Sequence, residues 1–239
     1  FGTGIQATAK TGKITNNLSY NHKSSDGHAK NTDFMVNNVF INSSLKHKSS
    51  VFDIQAGYTD KAFGAQSFYT PKFPSQFEQV KTKFAALSFS SGKTSKLSVK
   101  TSYRRHHDRF ELFRDSAPAW YTTHNYHMTD VFSAETNFIQ HWLWFKTSVG
   151  AEFRSENILS NVLGKPLNDT LEVPGEPHGK FTRGSERNTG SIFIEQNFSH
   201  QRFSLSAGSL FSWYSDYSNK SFHGMDASFS LISNLSIYG

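Results

Sequence analysis

The sequence predicts an all-β fold, the wall of an antiparallel transmembrane β-barrel. Three observations predict it: a strict alternation of apolar and polar residues, a low apolar content beside a high aromatic content, and connections that alternate short and long. The alternation is cleanest over residues 94–104, where Leu97, Val99, Thr101 and Tyr103 fall on one side and Lys96, Ser98, Lys100, Ser102 and Arg104 on the other. Successive side chains of a strand point to opposite faces, so this segment has one apolar and one wet face. A wet face of Lys, Ser, Asn and Gln behind an apolar one suits a wall between lipid and water, and such strands cross a bilayer when tilted.

Composition agrees. Of 239 residues, 36% are apolar, low for a globular protein, whereas 15% are aromatic and 23 are Phe. Disordered chains carry few aromatics. A barrel needs apolar side chains only on its outer face and aromatic girdles at both interfaces, which accounts for both figures. The absence of cysteine excludes a disulfide scaffold and thiolate zinc sites. No stretch approaches the roughly 18 apolar residues of a membrane helix, a test that strand-built membrane proteins escape. The formal charge of +6 is modest and spread along the chain, so no nucleic-acid partner is expected.

Eleven strands are predicted. Strands 2–10 and 13–21 meet at Thr11-Gly12, 34–46 and 50–58 at Lys48-Ser49, and 78–90 and 94–105 at Ser91-Gly92. Strands 127–140 and 142–156 meet at Gln140-His141, and 188–199 and 201–214 at His200-Gln201. A last strand covers 224–238. Clear outward rows are Phe132, Ala134, Thr136 and Phe138; then Leu143, Phe145, Thr147, Val149, Ala151 and Phe153. Two more are Phe203, Leu205, Ala207, Ser209, Phe211 and Trp213, and Met225, Ala227, Phe229, Leu231, Ser233, Leu235 and Ile237. Residues 34–42 are mixed and Phe193 shares a face with Glu195, for which bulges are expected. The remaining connections, 22–33, 59–77, 106–126, 157–187 and 215–223, are long. Short turns on one side and long loops on the other mark an outer-membrane barrel. No fixed-period repeat is present, which disfavours a solenoid or propeller.

Two segments carry a family resemblance: Gly57-Tyr58-Thr59-Asp60-Lys61-Ala62-Phe63-Gly64, running on through Pro74 to Glu78, and Tyr103-Arg104-Arg105-His106-His107-Asp108-Arg109-Phe110-Glu111-Leu112. With Glu152-Phe153-Arg154-Ser155-Glu156-Asn157-Ile158 and Leu163-Gly164, the chain resembles TonB-dependent outer-membrane receptors, most of all the cobalamin receptors of the Bacteroidetes. The resemblance is best over 13–165. It implies a 22-stranded barrel around a plug. The plug and its TonB-contacting segment are not in this sequence, and about half the strands are, so residues 1–239 are expected to form one partial barrel domain. The chain opens on Phe1 without a signal peptide, as a mature or partial sequence would. Implied partners are a small-molecule ligand (a corrinoid, then a siderophore-type metal chelate), TonB through the plug, outer-membrane lipids, and a surface lipoprotein.

Candidate ligand contacts are placed on the long loops. Residues 59–77 hold Phe68, Tyr69 and Phe73 with two prolines; exposed aromatics on a stiffened loop grip large planar ligands at low entropic cost, or else pack together or join the girdle. Residues 104–126 hold Arg104, His106, Arg109, Trp120 and Tyr121, either an anion or chelate contact or a solvated charged loop. No catalytic residue, metal site or cofactor is expected. His106, His107 and Asp108 are adjacent and so diverge, Gly92-Lys93-Thr94 has Leu87 where a phosphate loop needs its first glycine, and Glu152 and Glu156 are expected on the lumen side near the rim. Competing readings are a small outer-membrane barrel hydrolase and a soluble all-β carbohydrate-binding module.

An open sheet of eleven strands leaves two unpaired edges in a medium that cannot satisfy them. Residues 1–239 expressed alone are therefore expected not to yield a monodisperse folded monomer in detergent. A heat-modifiable, protease-resistant monomer would instead identify a closed small barrel.

Overall fold

The computed structural model describes residues 1–232 and 235–239. These form one antiparallel sheet whose strands follow chain order: β1 (Gly2–Thr11), β2 (Ile14–Ser25), β3 (Phe34–His47), β4 (Ser50–Gly64), β5 (Phe77–Gly92), β6 (Ser95–Glu111), β7 (Asn125–His141) and β8 (Phe145–Ser160). β10 (Lys180–His200), β11 (Phe203–Tyr214), β12 (Lys220–Ile232) and β13 (Leu235–Tyr238) continue it, and β9 (Lys165–Glu172) pairs with the start of β10, off the main path. The order runs from β1 to β13 without closing. A single sheet with no second layer is not the two-sheet sandwich that a soluble all-β module would use.

Register is unbroken from β1 through β12, so every residue keeps its face across the wall. One row across the sheet reads Leu18, Ile41, Ala56, Ala85, Tyr103, Phe132 and Ser155; two residues along the strands, another reads Asn16, Ser43, Ile54, Leu87, Thr101, Ala134 and Phe153. The opposite face reads Asp53, Ser88, Lys100, Glu135 and Glu152, and it is the concave one, lined by cavities. The predicted outward rows of β7, β11 and β12 all hold. Apolar residues therefore sit where lipid lies and polar ones where water lies.

Four of the five short turns carry one residue in the left-handed region, Gly12 (φ 60°), Lys48 (φ 53°), Gly92 (φ 110°) and Gln201 (φ 51°), whereas the β7–β8 turn carries none. The strands outrun the bilayer. β6 and β7 are 17 residues each, against the ~9–11 that cross it. The excess rises on the long-loop side as a rim.

Several expectations are corrected. There are thirteen strands among the described residues. β9 lies within what reads as loop 157–187: its Pro166, Asn168 and Asp169 look like turn residues, but an edge strand with a single partner tolerates them. The segment 224–238 is two strands, because the alternation stays in phase across the reversal between Ile232 and Leu235 and hides it; Ser233 lies outside the described residues. Leu143 sits in the turn before β8, 84% exposed, rather than in the outward row.

Neither expected bulge exists. The register shifts fall instead in β9/β10 and β12/β13. The mixed character of β3 and β10 comes from aromatics on the concave face that lie over glycines. Phe84 packs over Gly57 and stacks on Phe40 at 6.2 Å; a Cβ on Gly57 would fall 2.4 Å from the Phe84 ring. Phe193 covers Gly150 in the same way, at 2.3 Å from such a Cβ. Glu152 is also moved: it stands level with Glu135 and Lys100, mid-wall, while Glu156 is at the upper level.

The face assignment is testable at Ile54, 57% exposed between Phe52 and Tyr58, and its neighbour Gln55 on the concave side. Ile54→Arg should cost ~2–4 kcal/mol in a refolding titration into phospholipid vesicles, and Gln55→Arg much less. Equal costs would contradict the assignment.

Candidate functional site

The candidate site is the concave side of the rim, above the outward aromatics Tyr58 and Tyr103. Continuing the alternation beyond Arg104 brings His106, Asp108 and Phe110 of β6 to the concave face, beside Glu78 and Thr82 of β5, Lys61 and Phe63 of β4 and His127 of β7. His106 Nδ1 is 2.8 Å from Thr82 Oγ1, and His127 Nδ1 is 2.9 Å from Ser160 Oγ. Lower on this face Lys100 meets Glu135 at 2.7 Å, and Glu156 accepts from Arg154 and Arg187, each at 2.6 Å. Among the described residues Arg104 has no ion pair and Lys61 lies over the Phe63 ring at 4.6 Å.

The connection 65–76 folds inward over this face. Tyr69 sits edge-on against Phe110 at 5.2 Å and donates its hydroxyl to the Glu78 carboxylate; burial, then that carboxylate, push the phenol pKa up. Phe68 packs edge-on to Tyr69 at 4.9 Å yet remains 75% exposed. Phe73 stacks on Phe113 of the connection 112–124 at 5.5 Å, and Phe113 also meets Trp120 and Tyr121. The Tyr121 hydroxyl accepts from the Leu112 N–H at 2.9 Å. Arg114 ties 112–124 to the connection 26–33, donating to Asp33 at 2.6 and 2.9 Å, and Asn31 ties 26–33 to 65–76, donating to the Pro74 and Gln76 carbonyls. The Arg114 guanidinium holds the Asp33 carboxyl below its usual range.

The eight predicted contacts thus separate. Phe68, Trp120 (64% exposed) and Tyr69 (54%) remain exposed although each packs on another ring; Phe73 and Tyr121 are spent on packing between loops. His106 and Arg109 are corrected from loop to strand, because β6 keeps pairing with β5 and β7 beyond Arg104, near the end of the predicted strand, up to Glu111. Above the lipid no apolar outward side chain is required, so the alternation fades in sequence although the ladder continues. Arg109 points away from the other two. On the outer side it joins Glu111 at 3.1 Å and Glu176 at 2.8 Å. There Val173, in the connection after β9, packs with Tyr126, Met128 and Phe181, with Leu159 and Leu167 against them, forming a small core where the outward parity of β7 alone reads as lipid contact.

Sequence reasoning missed Lys61, Phe63, Glu78, Asp108 and Phe110 as members of the concave rim; extending the two-residue period past Tyr103 finds Asp108 and Phe110, past Tyr58 it finds Lys61 and Phe63, and back along β5 from Ser88 it finds Glu78. Asp108 is the most perturbed. Its carboxylate oxygen Oδ1 is buried without a partner, and burial, then the Glu78 charge, raise its pKa to about 6. Burial, then Arg104, lower that of His106.

No protein-family model matches the chain, and no curated protein does. Solved structures do. The chain is similar to the ferric enterobactin receptor PfeA of Pseudomonas aeruginosa, with a TM-score of 0.70 at 10% identity over 99% of this chain and 40% of that one. It is similar to the ferric citrate transporter FecA in its unliganded form (0.70, 12% identity, 98% and 39%). The FrpB iron transporter of Neisseria meningitidis gives 0.68 at 12% identity, over 95% and 40%. The chain spans about two fifths of the length of these structures, and what they share with it is the fold: part of a TonB-dependent receptor barrel.

Asp108 makes a signed prediction. Its folded pKa of about 6 exceeds the unfolded value of ~3.9, so its ionisation destabilises the rim increasingly as pH rises through that window. Asp108→Asn should therefore protect the amides at the top of β6 against hydrogen exchange, relative to the native residue, near neutral pH. The gain should vanish below about pH 4. A gain independent of pH would contradict the assignment.

Proposed function

We propose that the chain is the part of an outer-membrane TonB-dependent receptor whose rim admits a large metal chelate, of the siderophore type, to the barrel lumen. The observation that carries this reading is the likeness in fold to a ferric enterobactin receptor, a ferric citrate transporter and an iron transporter, over nearly the whole of this chain. The protein resides in the bacterial outer membrane, with the outward apolar row in lipid. It acts as a conduit wall rather than as an enzyme. Energy would reach it through TonB and a plug, and a surface lipoprotein would hand over or cover the ligand; both belong to the family it resembles. Phe68 and Trp120 meet the ligand, since they are the most exposed aromatics of the connections 65–76 and 112–124. Arg104 and Lys61 face the entering chelate from the wall.

A corrinoid is the second reading. It is supported by the resemblance of residues 57–78 and 103–112 to cobalamin receptors.

Deleting the gene in its host should abolish uptake of radio-iron from ferric chelates and leave radiolabelled cobalamin uptake unchanged. The reverse result would establish the second reading, and no change in either would overturn the transport reading. In the full-length receptor, combining Phe68→Ala with Trp120→Ala should weaken chelate binding at least tenfold, ~1.4 kcal/mol, with the barrel still assembled. Unchanged affinity by calorimetry would remove both residues from the site.

A further inference from the structure

The outer face of the rim holds a separate groove of about 240 Å³. Tyr58 of β4, Lys81 and Lys83 of β5, and Arg105 and His107 of β6 line it from the strands; Met128 and Pro174 complete it. All the strand residues lie on the outward face: Tyr58 is the cross-strand partner of Lys83, and Lys83 of Arg105. The Lys83 side chain therefore stands level with the upper aromatic girdle, and Lys81 one pleat above it. A cation at that height on the lipid side of a barrel meets headgroups, not hydrocarbon and not the lumen.

The charges in the groove are unevenly spent. Arg105 is bound at 2.6 Å to each carboxylate oxygen of Asp130, and Asp60, opposite Lys81, accepts from Gln79 at 3.1 Å. Among the described residues neither Lys81 nor Lys83 has an ion pair. The Nε2 atom of His107, in the same wall, is buried and without a partner. Lys81 and Lys83, without an ion pair among the described residues, thus line the groove beside the exposed ring of Tyr58.

We propose that this groove binds the phosphate of an outer-leaflet lipid headgroup. Lys81 and Lys83 hold the phosphate oxygens, and the exposed Tyr58 ring lies against the apolar part of the lipid. The assignment rests on the outer-membrane placement proposed above.

The test uses the full-length receptor in phosphatidylcholine nanodiscs, with diphosphoryl lipid A and its dephosphorylated form as probes, read by native mass spectrometry. The phosphorylated probe should be retained roughly tenfold or more over the other. Lys81→Gln with Lys83→Gln should abolish the preference while the protein still inserts. Lys96→Gln with Lys100→Gln, on the lumen side of β6, should leave it intact. Inserted protein with equal retention of both probes would overturn the site but not the placement. Failure to insert at all would overturn both. Loss of the preference when inorganic phosphate is added at modest concentration would reassign the site to free phosphate.

Discussion

A backbone in lipid has no water to pair its N–H and C=O groups, and this constraint organises the molecule. Each strand must be hydrogen-bonded along its whole length to its neighbours, so the register from β1 to β12 runs without a slip. Because the side-chain period is two, an unslipped register fixes every face at once: one displaced residue would carry Ile54 and Leu87 into the lumen and Asp53 and Ser88 into lipid. The two register shifts fall away from the middle of the wall, in the β9/β10 pairing at the rim and next to the β12–β13 reversal.

Above the bilayer the same strands continue under different rules. Outward positions no longer need lipid-soluble side chains, and the protein itself covers them: the connection after β9 places Val173 over Tyr126 and Met128 and ties Glu176 to Arg109. Inward positions gain a roof from the connection 65–76 through Tyr69, Phe110 and Glu78. Arg114 and Asn31 then couple the connections on either side. The rim is thus a packed platform, and its exposed aromatics are the exception. This makes Phe68 and Trp120 better ligand contacts than their more numerous packed neighbours.

Much of the wall was legible from alternation alone. The rows through Phe132–Phe138, Phe203–Trp213 and Met225–Leu231 follow from sequence because lipid imposes apolar side chains at every second residue. The short turns were legible for the same reason. What was not legible lies above the lipid or at an edge. There the period survives in hydrogen bonding but not in polarity, so His106 and Arg109 read as loop and β9 was hidden by its proline. The division of the candidate site into inward and outward residues was recoverable by counting on from Tyr103. Which aromatics are most exposed was not, since Phe68 and Tyr69 differ only in what the fold sets against them.

The central claim is that β6 carries one lipid face and one lumen face up to Tyr103, and above it an outer face sheathed by protein. Nitroxide labels placed singly at each position from 96 to 110 of the vesicle-reconstituted receptor, with accessibility to oxygen and to an aqueous nickel chelate, test it most directly. Oxygen accessibility should peak at 97, 99, 101 and 103, nickel accessibility at 96, 98, 100 and 102, and both should be low at 107 and 109, beneath the covering connection. Uniform accessibility along the strand, or oxygen peaks continuing through 107 and 109, would contradict the account.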